Sequence, residues 1–340
     1  MRWAVVGLAV ALAAGAAEAA EHAYKAPRNR LGQPDLSGIW TNTSITWLQR
    51  PPGVKALVLS DAEAEAMGDE FRRMVDVLIR PTSDPAAPAP EETKAVDNSD
   101  FLEMDLKPAR VNGQWRSSWI VEPEDGRLPF TEEGRARTRE RGRGKGYDSY
   151  ETRPTDERCL TAIGSPEGPP MMNSGFNGHY QILQTKDHVA ILIEMNHDVR
   201  IVKLIAGPTA PRPIHHPNAP RWMGETVGWF EGDSLVMETT NHNPQGAYAG
   251  SMTGGMTYTQ TAVVRERLTR TGPDSILYAF TVDDPATFAW PWRAEMPWRP
   301  AKGPIYEYAC HEGNYSLANI LGGARVQEAE ARAAAPTRAN

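Results

Sequence analysis

Apolar and polar residues alternate most regularly in the second half of the chain, across residues 180–310. Apolar and β-branched runs with a period of two are separated by short turns rich in glycine, aspartate and proline, and no helical period lies between them. The turn at residues 231–234, Glu-Gly-Asp-Ser, is typical of a β-hairpin. The pattern predicts strands at residues 180–185, 188–195, 199–204, 226–230, 235–240, 257–269, 276–282, 290–298 and 305–310.

Helical periodicity occurs in the first half of the chain and at its end. Ser60 and Glu63 have the spacing of a capping box, and apolar residues recur behind them at helical spacing, so an amphipathic helix is predicted over residues 61–79. Thr131 is a candidate helix N-cap, and a last helix is predicted to begin near Tyr315.

The segment Asp35-Leu-Ser-Gly-Ile-Trp40 precedes these elements and contains a Gly-x-Trp motif at the start of a short strand. It resembles the first strand of lipocalin-type barrels, in which the tryptophan closes one end of the barrel. Because the predicted strands follow one another through tight turns, they favour an antiparallel meander. The predicted fold class is mainly β, an antiparallel meander closed into a lipocalin-like barrel with peripheral helices and long loops.

The chain divides into four regions by composition. Residues 1–20 have a basic start, an apolar run and small residues at the end, which predicts a cleaved signal peptide. Residues 21–150 are expected to form an extension that packs on the barrel, and residues 151–325 the barrel core. Residues 326–340 are expected to be a disordered tail. The protein is therefore predicted to be periplasmic or secreted.

Charge and composition narrow the classes of partner. The formal net charge of −7 argues against a nucleic-acid partner, and no second apolar segment suggests membrane insertion. No cofactor is predicted, because phosphate loops and dinucleotide fingerprints do not occur. The oligomeric state is left open, and a small-molecule ligand or substrate is the expected partner.

The chain has two cysteines, Cys159 and Cys310. In an exported protein a pair of cysteines favours one disulfide, and closing a loop of this length is worth roughly 4–5 kcal/mol in the chain-entropy model. A catalytic thiol is the alternative, but neither cysteine has the sequence context of a nucleophile.

Four segments carry most of a family resemblance: Asp35-Leu-Ser-Gly-Ile-Trp40, Glu194-Met-Asn-His-Asp-Val-Arg-Ile201, Trp229-Phe-Glu-Gly-Asp233 and Tyr306-Glu-Tyr-Ala-Cys-His-Glu-Gly-Asn-Tyr315. Together with shorter segments between them, they cover most of the chain beyond the signal peptide. They resemble a family of exported proteins from soil and aquatic bacteria that is largely uncharacterised. The resemblance implies no activity and no catalytic residues, so function has to be argued from the residues.

Glu194 follows an apolar run whose two faces are both hydrophobic, so its carboxylate is expected to be buried. A buried carboxylate is either paired with a cation or held with a raised pKa. Arg200, on the next predicted strand, is the expected partner. The pair would then either tie two strands together or supply a catalytic acid or base with an anion-stabilising arginine. His197, in the intervening turn, is a candidate substrate contact.

Glu238 is a second carboxylate in a strand that is otherwise suited to a core, and Asn241 and His242 follow it. If this strand directs Glu238 inward, these residues line one rim of the barrel. Glu238 is therefore the alternative catalytic carboxylate, and Asn241 is a candidate substrate contact.

His311 and Glu312 follow directly on Cys310, which a disulfide would hold in place. A rigid support favours a preorganised site, so His311 is the candidate acid and Glu312 a candidate substrate contact. The alternative is that both residues cap the last helix. Tyr306, just upstream, is a further candidate contact.

No metal site is predicted, because no His-Glu-x-x-His or Cys-x-x-Cys motif occurs, although His197, His242 and His311 could converge in space. Ten tryptophans, Trp222 and Trp292 among them, could supply aromatic walls for an apolar or aromatic guest. The predicted function is an exported enzyme, a lyase, isomerase or hydrolase, that performs acid–base chemistry on such a molecule in the barrel. The alternative is a non-catalytic periplasmic binding protein.

Overall fold

The computed structural model describes residues 24–79, 106–142, 146–212, 218–246 and 255–334. The predicted signal peptide, at residues 1–20, lies outside the described residues. Thirteen strands and three α-helices occur within those ranges. The strands are β1 (Gly38–Thr41), β2 (Val58–Leu59), β3 (Arg110–Val111), β4 (Gln114–Arg116), β5 (Ile120–Glu122), β6 (His179–Gln184), β7 (His188–Ile193), β8 (Val199–Leu204), β9 (Glu225–Glu231), β10 (Ser234–Thr240), β11 (Val263–Gly272), β12 (Ser275–Asp283) and β13 (Trp292–Pro300).

Nine of these strands form a closed barrel, which confirms the predicted fold class. The order around the barrel is β1-β6-β7-β8-β9-β10-β11-β12-β13, and β13 pairs with β1 to close it. β5 pairs with β13 as an additional strand, and β2, β4 and β3 form a separate small sheet. Eight of the nine neighbouring pairs are antiparallel, and short turns join β6 to β7, β7 to β8, β9 to β10 and β11 to β12. Alternating residues give each strand one apolar face for the interior.

The prediction of an entirely antiparallel sheet is wrong at one position. β8 and β9 are parallel, and only two residue pairs join them, Lys203 with Val227 and Leu204 with Gly228. The chain between these strands, residues 205–224, is long enough to return to the opposite end of the barrel, whereas a tight turn would have forced antiparallel pairing. The barrel is therefore mixed.

The predicted strand at residues 305–310 does not form. β13 is already flanked by β12 and β1, so barrel closure leaves no edge there for another strand. Cys310 instead forms a disulfide with Cys159, which confirms the predicted pairing. The predicted strand at residues 257–269 begins only at Val263.

Three helices lie outside the barrel. α1 (Asp61–Ile79) has its predicted bounds, and its capping box forms, since Glu63 Oε2 accepts from Ser60 N at 2.8 Å. α2 (Glu132–Gly142) is capped by Thr131, whose Oγ1 accepts from Gly134 N at 3.0 Å. α3 (Tyr315–Ala334) extends into the region expected to be a disordered tail, so that expectation is wrong for residues 326–334. Within the described residues, no helix combines the length and apolar character that a bilayer crossing requires.

Side chains fill the barrel interior. Trp298 stacks on Tyr180 with 4.4 Å between ring centroids, and Trp292 packs edge-on against Phe280 at 5.6 Å. Trp40 is buried, and its indole nitrogen donates to the carbonyl of residue 36 at 3.0 Å. Large aromatic rings therefore occupy much of the space that a ligand would need.

Candidate functional site

A buried ion pair crosses the barrel interior. Arg200 on β8 directs its guanidinium inward, where its two terminal nitrogens donate to Glu266 on β11 at 2.9 and 2.6 Å. Tyr278 donates to the same carboxylate at 2.6 Å. Burial acts to lower the pKa of Arg200, but the charge of Glu266 outweighs it and raises the pKa. Arg200 is therefore held as a cation by two hydrogen bonds to Glu266, while its buried Nε makes no hydrogen bond.

A segment of the chain also enters one end of the barrel. We call residues 166–172 the plug segment. Its residues are almost all buried, and three buried tyrosines bind its backbone. Tyr180 donates to two of its carbonyls at 3.0 and 3.2 Å, Tyr258 donates to a third at 2.5 Å, and Tyr278 accepts from one of its N–H groups at 2.8 Å. The plug segment thus fills interior space that a ligand bound inside the barrel would need.

A groove opens in the barrel wall where β8 and β9 diverge. We call it the seam groove; it lies between β8 and residues 221–227 and has a volume of about 510 Å³. Val199 and Ile201 are exposed on one side, and Trp222 and Met223 are half-buried on the other. The seam groove exists because the two parallel strands share only two residue pairs, near the C-terminal end of β8. The N-terminal halves of the two strands are therefore not paired with each other.

Polar groups of the seam groove lie at its floor and rim. At the floor, Arg200 lies 3.5 Å from Thr226 Oγ1, which in turn is 2.8 Å from Thr239 Oγ1. At the rim, Arg221 has a side chain that is 70% exposed, and its Nε lies 4.0 Å from a carboxylate oxygen of Glu225. The two threonine hydroxyls of the floor are therefore bonded to each other, whereas the guanidinium of Arg221 at the rim is loosely held.

His242 is buried next to this floor. Its Nε2 lies 3.2 Å from the carbonyl oxygen of Thr239, and its ring meets Tyr258 edge-on with 4.7 Å between centroids. Burial lowers the pKa of His242 to about 4, with the charge of Arg200 acting in the same direction. The imidazole is therefore neutral at neutral pH.

Glu238 faces the outside of the barrel. Its neighbour Thr239 points inward, and successive residues of a strand point to opposite faces. Two arginines pair with the Glu238 carboxylate: Arg212 Nη1 at 2.6 Å and Arg265 Nε at 2.7 Å. The expectation that Glu238 shares one inner rim with His242 is wrong, because β10 ends at Thr240 and the left-handed backbone of Asn241, with a φ of 56°, changes the direction of the chain before His242.

Glu194 is fully buried, as its sequence context predicts, but its partner is not Arg200. Its Oε2 lies 3.0 Å from His179 Nδ1, and its Oε1 accepts from the backbone N–H of Tyr306 at 3.0 Å. Burial acts to raise the pKa of Glu194, but the hydrogen bonds from His179 and Tyr306 outweigh it and lower the pKa. Arg200 was wrongly expected as the partner because Glu266, distant in sequence, reaches it across the interior.

The remaining candidates at this end of the barrel are exposed. His197, Glu312 and His311 have exposed side chains, as has Tyr306 at 58%. In the described ranges, no hydrogen bond or ion pair joins His311 to Glu194, which is itself closed off from solvent. The expected convergence of these two side chains on one cavity is therefore not found in this structure. Catalytic roles for Glu194, His311, Arg200 and Glu238 stay predictions.

Trp292 and Asn241 do not line the seam groove, although the carbonyl oxygen of Asn241 accepts from the backbone N–H of Arg221 at 3.2 Å. Trp292 is wholly buried in the core, and Asn241 is buried with its Oδ1 accepting from Gln260 at 2.8 Å. Trp222, another of the aromatic residues considered as ligand walls, does line the groove.

Glu167 is a buried titratable residue that the sequence analysis missed. Its Oε1 accepts from the backbone N–H of Ala162 at 3.1 Å. Burial, with a smaller contribution from the nearby charges of Asp198 and Asp156, raises its pKa to about 8. Glu167 lies among serine, proline and glycine residues, a composition typical of exposed loops, so no sequence signal marked its burial.

Glu266 was also missed, although a signal for it existed. It alternates with Val264 and Leu268, both of which are buried, so the strand period alone places it on the inner face of β11.

The described residues contain no group of three or more histidines, cysteines, aspartates and glutamates that could hold a metal ion. No family model, no curated protein and no solved structure matches this chain. The resemblances to an exported bacterial family and to lipocalin-type barrels therefore stay predictions.

Proposed function

We propose that the protein binds a small, largely apolar molecule in the seam groove without transforming it. The observation that carries this proposal is the groove itself. Its volume of about 510 Å³ lies within the range of small-molecule pockets, and Val199, Ile201, Trp222 and Met223 give it apolar walls. A ligand there would remove exposed apolar surface from water, which is favourable by roughly 25 cal/mol per Å².

The pairing of the carboxylates favours binding over catalysis. Glu266 is paired with Arg200, and Glu238 is paired with two arginines. General acid–base catalysis needs titratable groups within hydrogen-bond reach of the substrate. Buried and paired carboxylates are suited instead to holding the strands around a groove in a fixed geometry.

The compartment belongs to the same proposal. A disulfide joins Cys159 and Cys310, and disulfides persist mainly in oxidising compartments. Together with the predicted signal peptide, this supports a periplasmic or secreted binding protein.

The experiment is a titration with the neutral fluorescent probe N-phenyl-1-naphthylamine. Trp222→Ala removes the aromatic wall of the seam groove and is expected to weaken probe binding at least tenfold. Trp290→Ala is the matched control, because Trp290 is 56% exposed and lies outside the groove. Equal affinity in the two variants, or no saturable binding to the wild type, contradicts the proposal.

A second candidate is the acid–base enzyme predicted from the sequence. It is supported by the buried Glu194–His179 pair and by the adjacent residues Asn196 and His197, whose φ values of 64° and 55° are in the left-handed region. Such conformations are costly for these residues and cluster at functional sites. Turnover of a groove ligand by the wild type that is lost in Glu194→Gln, with thermal stability unchanged, would favour this candidate.

A further inference from the structure

The backbone of β8 borders the seam groove along one edge of the strand. In an antiparallel ladder, alternate residues direct both their N–H and C=O groups to the same neighbour. The carbonyl of Asp198 accepts from Ile193, and the N–H of Leu204 donates to Asp187, so even-numbered residues of β8 bind the β7 side. Odd-numbered residues therefore direct their backbone groups toward β9.

Two of these odd-numbered residues have no strand opposite them. Ile205 donates to Gly228 and Lys203 pairs with Val227, but the register ends there. In the part of the chain that the structure describes, the register between β8 and β9 does not extend to Val199 or Ile201, and no backbone hydrogen bond joins these two residues to residues 221–224. Two N–H and two C=O groups thus face the seam groove as an open strand edge.

An open strand edge is recognised by another extended chain. Such a chain completes the hydrogen-bond ladder, while its alternate side chains enter the pockets on either side. Here the outer pocket is apolar, formed by Val199, Ile201 and Trp222. The exposed Arg221 at the rim is complementary to a carboxylate.

We propose that the ligand of the seam groove is a short extended peptide that adds to β8 as a strand, with apolar side chains at alternate positions and an acidic group for Arg221. This inference rests on the proposed function and specifies its ligand class. A ligand without amide groups would cover the edge of β8 and leave its N–H and C=O groups desolvated and unpaired, which is unfavourable. A peptide supplies the matching groups at the spacing of a strand.

The test uses a pool of N-acetylated, C-amidated tetrapeptides with apolar residues at positions one and three and glutamate at two or four. For the tightest binder, analogues N-methylated at each position in turn keep the side chains but remove one backbone donor. Methylation at a position that donates to β8 is expected to weaken binding roughly tenfold, the effect of one hydrogen bond of about 1.4 kcal/mol. Methylation at the adjacent position, whose N–H points away from β8, is the internal control.

Exchange of backbone amide protons provides an independent readout. Peptide binding is expected to slow exchange at Val199 and Ile201 at least fivefold and to leave Lys203, which is already paired with β9, unchanged. Ile201→Pro removes a groove-facing N–H and is expected to weaken binding at least tenfold, whereas Ile201→Ala keeps this N–H and is expected to have a smaller effect. If Ile201→Pro does not fold, the methylated peptides on the wild type decide.

The outcomes separate the two proposals. If the naphthylamine probe binds in a Trp222-dependent way but no peptide binds, or all methylated analogues bind equally, the peptide inference is overturned and the proposed function stands. If neither probe nor peptide binds, both are overturned. If Val199 and Ile201 become protected with rising protein concentration and without peptide, the occupant is a second copy of the chain, and the peptide inference is also overturned.

Discussion

At the scale of single residues, the buried pair of Arg200 and Glu266 shows how the interior tolerates charge. Taking two ions out of water is expensive, and their attraction compensates only where geometry is good and the remaining hydrogen bonds are made. Glu266 here accepts from both terminal nitrogens of Arg200 and from Tyr278. Removing one partner alone would leave an unpaired charge buried in the core.

We therefore expect Glu266→Leu to lower the free energy of unfolding by about 3–5 kcal/mol, measured by urea denaturation. Arg200→Met combined with Glu266→Leu is expected to recover most of this loss, because no charge is then left unpaired. The control is Arg267→Ala, which breaks an exposed pair with Glu231 and is expected to cost less than about 1 kcal/mol. A loss in Glu266→Leu no larger than in this control would contradict the prediction.

Glu167 gives the stability of the protein a specific dependence on pH. Its pKa of about 8 in the folded state lies above its ordinary value of 4.5, so the folded state holds a proton that the unfolded state releases. The contribution of Glu167 to the free energy of unfolding is fully present below pH 4.5 and is lost as the pH rises toward 8. His242, with its pKa lowered to about 4, acts with the opposite sign, its contribution being lost as pH falls below 6.5.

Comparison with Glu167→Gln isolates this contribution, because the amide imitates the protonated acid and His242 is common to both proteins. We expect the unfolding free energy of the variant, relative to wild type, to increase between pH 5 and pH 8 by an amount on the order of a few kcal/mol. Urea denaturation at several pH values measures it. A difference that is constant with pH would show that Glu167 titrates normally.

At the scale of elements, the pairing of β8 determines the position of the seam groove. Its inner residues Arg200 and Val202 join the core, and its outer residues Val199 and Ile201 are exposed. On one side it is fully paired with β7, whereas on the other it pairs with β9 at two positions only. Because β9 pairs with β8 only from Lys203 onward, the preceding part of the β8 edge is left open, and the seam groove lies there.

The segment at residues 304–310 shows the opposite case, an extended sequence without a sheet to join. The backbone N–H of Tyr306 is bound by the Glu194 carboxylate, and Cys310 is bound by Cys159. Side-chain contacts and a disulfide therefore hold this segment where strand pairing was expected.

At the scale of the whole molecule, the disulfide joins the chain before the plug segment to the chain after the last barrel strand. Cys159 and Cys310 are 151 residues apart, and β6 to β13 lie between them. The cross-link thus encloses most of the barrel and limits the freedom of the unfolded chain.

We expect the double substitution Cys159→Ser with Cys310→Ser to lower the unfolding free energy by about 2–5 kcal/mol, measured by urea denaturation. Thiol labelling of the denatured, unreduced wild type is expected to find no free cysteine. Two reactive thiols per chain would contradict the disulfide, and unchanged stability in the double variant would contradict its role.

Much of the barrel is determined by the sequence alone. The alternation of apolar and polar residues with a period of two predicted every barrel strand of the second half of the chain. Residues 199–204, for example, form β8 with the predicted bounds. This works because each strand has one face in the core, which imposes a local alternation of apolar and polar residues. The burial of Glu194 and the pairing of the two cysteines were predictable for equally simple reasons, an apolar context and an even count.

The tertiary structure alone decided which groups meet. The partner of Arg200 lies 66 residues away on β11, and the parallel pairing of β9 with β8 is a contact between separate strands. Glu167 is buried because the plug segment packs in the core. Local periodicity assigns a residue to a face, but the neighbours on that face depend on barrel closure, strand order and register, which are set by contacts between residues distant in sequence.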